Sequence, residues 1–287
     1  LHGQDVTITS RKNPLVQLAR AARDGREKGL VFVEGVRLCE EALRAGLDFE
    51  FVLHAAAAEE NERGARLLEE LRRACPRVRA VSASVLESVS DTKTTQGVAA
   101  VARRQKTGRD VIELGGAAPL VVIIHRANNP SNAGAMLRVA EAAGATAVIS
   151  TKGSTDLFSP KALRGSMGSA FRLPLWTGAT FEEALAWCKG RGIGTVAAGA
   201  GAPHAHTEVD WTRPRAVVVG PEAGGLTTEE LRAADDSVRI PMREPVESLN
   251  VAVALAVILY EAARQRSGGR RQGQEAGQGA GADGRRQ

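Results

Sequence analysis

Three stretches of this chain set polar and charged side chains among glycine and proline directly after strongly apolar runs. The first runs from His125 to Arg138, follows Leu120–Ile124, and contains Asn128-Asn129-Pro130-Ser131-Asn132-Ala133-Gly134. The second, Gly220-Pro221-Glu222-Ala223-Gly224-Gly225-Leu226, follows Ala216–Val219; the third, Pro241 to Asn250, follows Ser237–Ile240 and ends in Ser248-Leu249-Asn250. Arg138 lies beyond Asn132 on an otherwise apolar helix face, where a guanidinium either surfaces or finds an anion. A phosphate near that helix N-terminus would supply one. The plainer reading makes Asn132 an N-cap, the second stretch a turn with Glu222 a solvated carboxylate, and Ser248 or Asn250 a cap for the helix that follows. Capping explains one of Ser248 and Asn250 but scarcely both, which leaves Asn250 for a buried hydrogen-bonding role.

The elements that must position these loops alternate. Residues 11 to 105 read as a compact α/β unit: an amphipathic segment around Leu15, Leu18, Ala19 and Ala22, strands at Leu30–Val33, Phe49–Leu53, Val78–Val81 and Val98–Ala102, and helices at Val36–Ala45 and Asn61–Ala74. The charged and glycine-containing stretch 106–118 reads as a linker. A second domain, 119–266, opens on Leu120-Val121-Val122-Ile123-Ile124, apolar throughout as in a sheet buried on both faces. Its pattern predicts helices at Ala133–Ala143, Glu229–Ala234 and Leu249–Ala263, with strands at Ala147–Ile149, Gly194–Ala198, Ala216–Val219 and Ser237–Ile240. Thr227 and Glu230 have the spacing of a capping box. The class is α/β with a largely parallel sheet. Residues 267–287, mostly Gly, Arg and Gln, have little to bury and are expected to be disordered.

Composition removes several alternatives. With 287 residues, 43% hydrophobic and 25% charged, the chain is neither disordered throughout nor a stapled miniprotein. No stretch has the roughly 20 apolar residues of a membrane span, and the start lacks the pattern of a secretory leader. Cys39, Cys75 and Cys188 lie far apart, which suits buried thiols in a reducing, cytoplasmic compartment and not a structural zinc site. His204 and His206 lack a nearby third ligand, so no metal is expected. The first strand is not followed by G-x-G-x-x-G, and no Walker sequence occurs. A net charge of +5 permits a polyanionic partner, and 3% aromatics argues against reading bases by stacking.

In this order the three stretches resemble the signature motifs of the SpoU/TrmH family, the RNA 2′-O-ribose methyltransferases of the SPOUT class. They match N-P-x-N-x-G with Arg138, then Gly220-x-Glu222-x-x-Gly225-Leu226, then Ile240-Pro241-Met242 followed by Ser248-Leu249-Asn250-Val251. Ser10-Arg11-Lys12-Asn13-Pro14 and Val33-Glu34-Gly35-Val36-Arg37-Leu38 resemble the start of the small ribosomal-protein-like domain that many members carry. The resemblance implies a parallel-sheet SPOUT domain with a deep trefoil knot, and S-adenosyl-L-methionine held by backbone around Gly220, Ile240 and Leu249, with Gly199 closing its site. It also implies a homodimer whose final helix joins the interface. Asn132, Glu222, Ser248 and Asn250 would orient the ribose, and Arg138, from either subunit, would clamp the neighbouring phosphate. A guanidinium pKa above about 12 makes it a poor base. Ribosomal RNA, of the large subunit, is the expected partner, selected by residues 1–105 through Arg11, Lys12, Arg20, Arg23, Arg26 and Arg37, unless these only solvate a helix surface. Transfer RNA modification, a non-catalytic assembly factor on the same scaffold, and antibiotic resistance of the avilamycin or thiostrepton type stay open beside it.

Overall fold

The computed structural model describes residues 7–116 and 118–279, which divide into two compact units. The first holds the chain up to Lys106 together with Ala133–Arg138 and Thr155–Arg172; the second holds Thr107–Asn132, Val139–Ser154 and the chain from Leu173.

In the first unit, α1 (Pro14–Arg23) starts where Asn13 Oδ1 accepts from Leu15 N and proline fills the first turn. There follow β1 (Leu30–Glu34), α2 (Val36–Arg44), β2 (Phe49–His54), α3 (Glu62–Ala74), β3 (Val78–Ala80), α4 (Ala83–Val89) and β4 (Val98–Arg103). The strands form a mixed sheet in the order β1-β4-β2-β3, antiparallel except between β2 and β3. Its core gathers Val16 and Ala19 from α1, Phe32, Phe51, Leu53 and Val101 from the sheet, and Val85, Leu86 and Val89 from α4. Glu34 is buried at the end of β1, and its carboxylate accepts from Asp91 N at 2.9 Å, Thr92 Oγ1 at 2.7 Å and Ser90 Oγ. The buried charge is thus used to fix the loop after α4.

The second unit begins before its first strand. Thr107 Oγ1 lies 2.9 Å from Thr177 Oγ1, Gly108 N donates to Leu175 O, and Ile112 is buried in the core. The stretch read as a linker is therefore packed from residue 107 to 112, because Ile112 has apolar surface to bury. Then come, in chain order, β5 (Leu120–Ile124), α5 (Pro130–Ala142), β6 (Ala147–Thr151), α6 (Pro160–Ser166), α7 (Ser169–Arg172), β7 (Leu175–Ala179), α8 (Phe181–Lys189), β8 (Gly194–Ala198), β9 (His204–Ala205), β10 (Arg215–Val219), α9 (Thr228–Ala233), β11 (Asp236–Arg239) and α10 (Val251–Gly279), of which α6, α7 and the middle of α5 belong to the first unit. The seven strands are all parallel, in the order β7-β6-β5-β10-β8-β11-β9. From β5 the chain builds outward through β6 and β7, then returns to fill the other side. The carboxyl ends of β5 and β10 thus flank the point where strand order reverses, where parallel sheets bind ligands.

Two of the expected elements have a boundary displaced by three residues or more. Helix α5 starts at Pro130 and not at Ala133, because Asn129 is the N-cap: its Oδ1 accepts from Ser131 N at 2.9 Å and Asn132 N at 3.4 Å. Helix α10 runs on to Gly279, so residues 267–279 are helical where disorder was expected; residues 280–287 lie outside the described residues. The turn that carries the helix past 263 is anchored, since Arg266 donates to the carbonyls of Ala118, Trp211 and Arg213, and Gln265 Oε1 accepts from Trp211 N. Among the described residues no helix is long and apolar enough to cross a membrane. All three cysteines are buried and unpaired; burial pushes the Cys188 thiol up to about 12.

Candidate functional site

The loops after β8, β10 and β11 and the start of α10 surround one cleft of about 460 Å³. Gly199, Gly220, Ile240 and Leu249, the four residues expected at a cofactor, all line it, as do Glu222 and Ser248. The remaining wall is largely apolar, with Leu226, Leu231, Val238 and Ile258. Gly220 is required sterically, since a Cβ there would stand 2.7 Å from Leu226 N and 2.9 Å from Gly225 C. At Gly199 a Cβ would press to 3.0 Å on Leu231 Cδ2, inside the cleft wall. Glycine-lined loops that bring backbone donors and acceptors to an apolar cleft suit a ligand joining a flat apolar ring system to a polar chain. Arg239 also faces the cleft, and its guanidinium donates to the carbonyls of Ala202, at 2.8 Å, and Pro203, fixing the loop after β8.

A hydrogen-bonded chain connects the three sequence motifs. Asn250 Nδ2 donates to Asn132 Oδ1 at 3.1 Å, and Asn132 Nδ2 donates to Glu222 Oε1 at 3.1 Å. Asn132 is free to do this because Asn129 does the capping that the plainer reading gave to Asn132. At the other end, Asn250 Oδ1 caps α10, accepting from Ala252 N at 3.0 Å and Val253 N at 3.4 Å. Asn250 is therefore an exposed cap with a second bond, and not the buried group expected; at the mouth of a helix there is no cover over it. Ser248 is exposed beside it on the cleft wall.

Arg138 does not join this chain. It is exposed on α5 and makes no ion pair among the described residues. Six positions beyond Asn132 place it about 9 Å along the helix and about 120° round its axis. Gly134, between them, is where α5 meets α6: a Cβ there would run into the Ala162 carbonyl oxygen and stand 2.9 Å from Gly165 Cα.

Sequence reasoning overlooked a cluster at the base of the first loop. His125 is buried at the end of β5 with Nδ1 3.0 Å from Thr151 Oγ1, Nε2 3.0 Å from Glu230 Oε1, and its ring 4.5 Å from that of Phe181. Arg126 turns with φ +50° and donates from Nη2 to the same Glu230 Oε1 at 2.6 Å. Burial holds the His125 imidazole below its usual range, outweighing Glu230 beside it. Burial would raise Glu230, but the Thr227 N–H, His125 and Arg126 together hold it low. The capping box of Thr227 and Glu230 is present as expected; its second use by His125 left no spacing signal.

The arginines expected to face RNA divide. Arg11, Lys12 and Arg37 are exposed, and Arg26 is exposed but paired with Asp24 at 2.9 Å. Arg20 and Arg23 instead donate to the carbonyls of Ser88 and Ser90, tying α1 to the end of α4. Orphan carbonyls at a helix end are a strong sink for guanidinium donors. His204 sits 3.7 Å from Glu208, and no group of three or more metal-ligating side chains occurs among the described residues.

A family model described as the SpoU rRNA Methylase family matches residues 119–260, and one described as an MRM3-like substrate binding domain matches residues 13–100. The 23S rRNA (guanosine-2′-O-)-methyltransferase RlmB of Bordetella pertussis is 33% identical over 75% of this chain and 89% of its own length. The chain belongs to the SpoU rRNA Methylase family. Among solved structures, an RNA 2′-O ribose methyltransferase is similar with a TM-score of 0.78 and 35% identity, over 91% of this chain and 99% of that one. AviRb from Streptomyces viridochromogenes in complex with AdoMet is similar with a TM-score of 0.78 and 27% identity, over 89% and 99%. The SpoU fold and the enzymatic character expected from the three motifs are borne out.

Proposed function

We propose that this chain transfers a methyl group from S-adenosylmethionine to a ribose 2′-hydroxyl of ribosomal RNA, with the large-subunit RNA as its substrate. One observation carries the reading: loops after separate strands meet around one cleft, with Asn250, Asn132 and Glu222 joined through its rim. The cleft's glycine loops and apolar walls around Gly199, Gly220, Ile240 and Leu249 would hold the cofactor. When bound, S-adenosylmethionine supplies a methyl group on a cationic sulfur, already activated for transfer to an oxygen.

The residues must then align a weakly acidic hydroxyl and let its proton leave. Glu222 and Ser248 face the cleft with short polar groups that can position the ribose, and Asn132 and Asn250 hold Glu222 in place. Arg138, with its charge unpaired, suits the neighbouring phosphate. Its place on a different face of α5 favours service to the site of a second copy. Val253, Val257 and Tyr260 form an exposed apolar stripe on α10, 50%, 36% and 56% accessible, and we assign it to pairing between copies. A trefoil knot formed by the chain around the second and third motifs, and a cytoplasmic location, belong to the same reading. Residues 1–105 would select the RNA through Arg11, Lys12, Arg26 and Arg37, and 119–266 would carry the chemistry.

Methyl transfer from labelled S-adenosylmethionine to unmodified bacterial ribosomal RNA, followed by nucleoside mass spectrometry, tests this. A 2′-O-methyl nucleoside is expected. Transfer only to transfer RNA would overturn the substrate, and cofactor binding without transfer to any RNA would favour an assembly factor. A role in resistance predicts that expression in a sensitive host raises the inhibitory concentration of avilamycin or thiostrepton.

A further inference from the structure

The cluster around Glu230 has no part in the chemistry just described, yet it joins the two loops that bear it. Glu230 Oε1 accepts from His125 Nε2 at 3.0 Å and from Arg126 Nη2 at 2.6 Å, both at the root of the loop that leads to Asn132. Its other oxygen, Oε2, accepts from Thr227 N at 2.9 Å, at the end of the loop that carries Glu222. The remaining groups are matched. A carboxylate only accepts, so His125 Nε2 bears the proton; a neutral ring then takes the Thr151 hydroxyl on Nδ1, and Thr151 Oγ1 accepts the Arg126 N–H at 3.2 Å. The His125 ring, the Arg126 guanidinium and the Arg126 N–H are thereby tied, directly or through one or two neighbours, to one carboxylate on α9.

We propose that Glu230 is a positioning residue for methyl transfer: by gripping His125 and Arg126 it sets the separation at which Asn132 meets Glu222. This rests on the reading of the site given above. The grip spans loops that follow non-consecutive strands, β5 and β10, whose side-chain partners at the rim are a single hydrogen bond apart. A misplacement of about 1 Å at such a site costs rate while leaving a cofactor cleft on other loops in place.

Two readouts on the full chain test it. Glu230→Ala is expected to lower kcat at least about tenfold, with KM for S-adenosylmethionine and for RNA changed less than about threefold, and Glu230→Gln, whose one oxygen keeps the acceptor for His125 and Arg126 while its amide gives up the bond from Thr227 N, is expected to restore part of the rate. In an Asn132→Ala background, Glu230→Ala is expected to add less than about twofold, because what it positions has gone. Independently of any substrate, hydrogen exchange of residues 125–134 is expected to quicken in Glu230→Ala and not in Glu230→Gln. If Glu230→Ala proves poorly folded, Arg126→Ala, a half-exposed truncation that spares the cap, is expected to change rate and exchange in the same directions. Independent, multiplying effects of Glu230→Ala and Asn132→Ala, or unchanged exchange in residues 125–134, would overturn the inference. A wild-type chain that methylates no RNA would overturn the reading beneath it, while the exchange result still decides whether Glu230 holds the loop.

Discussion

Asn132 is one residue asked to donate and accept at once, to Glu222 and from Asn250, which only a side-chain amide does at that size. Asn132→Asp removes the donor and faces a carboxylate with a carboxylate. Methyl transfer should fall by about a hundredfold near pH 8 and recover in part as pH is lowered, because the facing pair raises one pKa and its proton restores the donor. A flat pH profile would refute this. Arg138→Ala should abolish turnover while calorimetry finds cofactor affinity within about threefold, and Arg138→Lys should recover little, since a point charge lacks the planar fork. The types and spacing of these residues were legible in the sequence. What was not legible was the division of labour between Asn129 and Asn132: both are capping residues in one turn, and only the backbone decides which one is left free. His125 was equally hidden, because its partners Thr151 and Glu230 come from distant parts of the chain.

Among the elements, apolar runs announced β5 and β10 plainly, whereas β7 and the helices α6 and α7 between residues 155 and 179 went unread. Strand β7 carries Trp176, Thr177 and Gly178 in a row without alternating burial, and α7 spans one turn, so neither shows a strong period. Helix α8 also went unread, although the capping box of Thr180 and Glu183 stands at its start. Gly134 shows how packing outweighs propensity. In an exposed helix Gly→Ala gains roughly 1 kcal/mol, but here the new methyl meets the α6 backbone, so Gly134→Ala should destabilise by roughly 1–3 kcal/mol in denaturant unfolding. A stabilised variant would sink that account. His125 gives a pH signature as well: its folded-state pKa lies below the unfolded value near 6.5, so its contribution is complete above about pH 6.5 and is lost as pH falls toward the lowered value. The thermal midpoint should drop between about pH 6.5 and 5 in the wild type and drop less in His125→Gln.

For the whole molecule, the exposed stripe on α10 and the unpaired Arg138 make one joint prediction. On the proposed pairing of copies through this stripe, Val257→Glu should shift sedimentation from dimer to monomer and lower methyl transfer together, since each site would lose the arginine of the other copy; an active monomer would separate the two. The seven-stranded sheet has a further consequence, for how the chain comes into being. Its two central strands, β5 and β10, are remote in sequence: Leu120 stands in register with Arg215, and the loops of the cleft close later still, at Asn250. During synthesis, then, the apolar strands β5 and β8 must wait, each with an unpaired edge, until β10 emerges. Such long-range parallel pairing is slow to form, and the interval before residue 219 leaves the ribosome is when this protein is most exposed to aggregation.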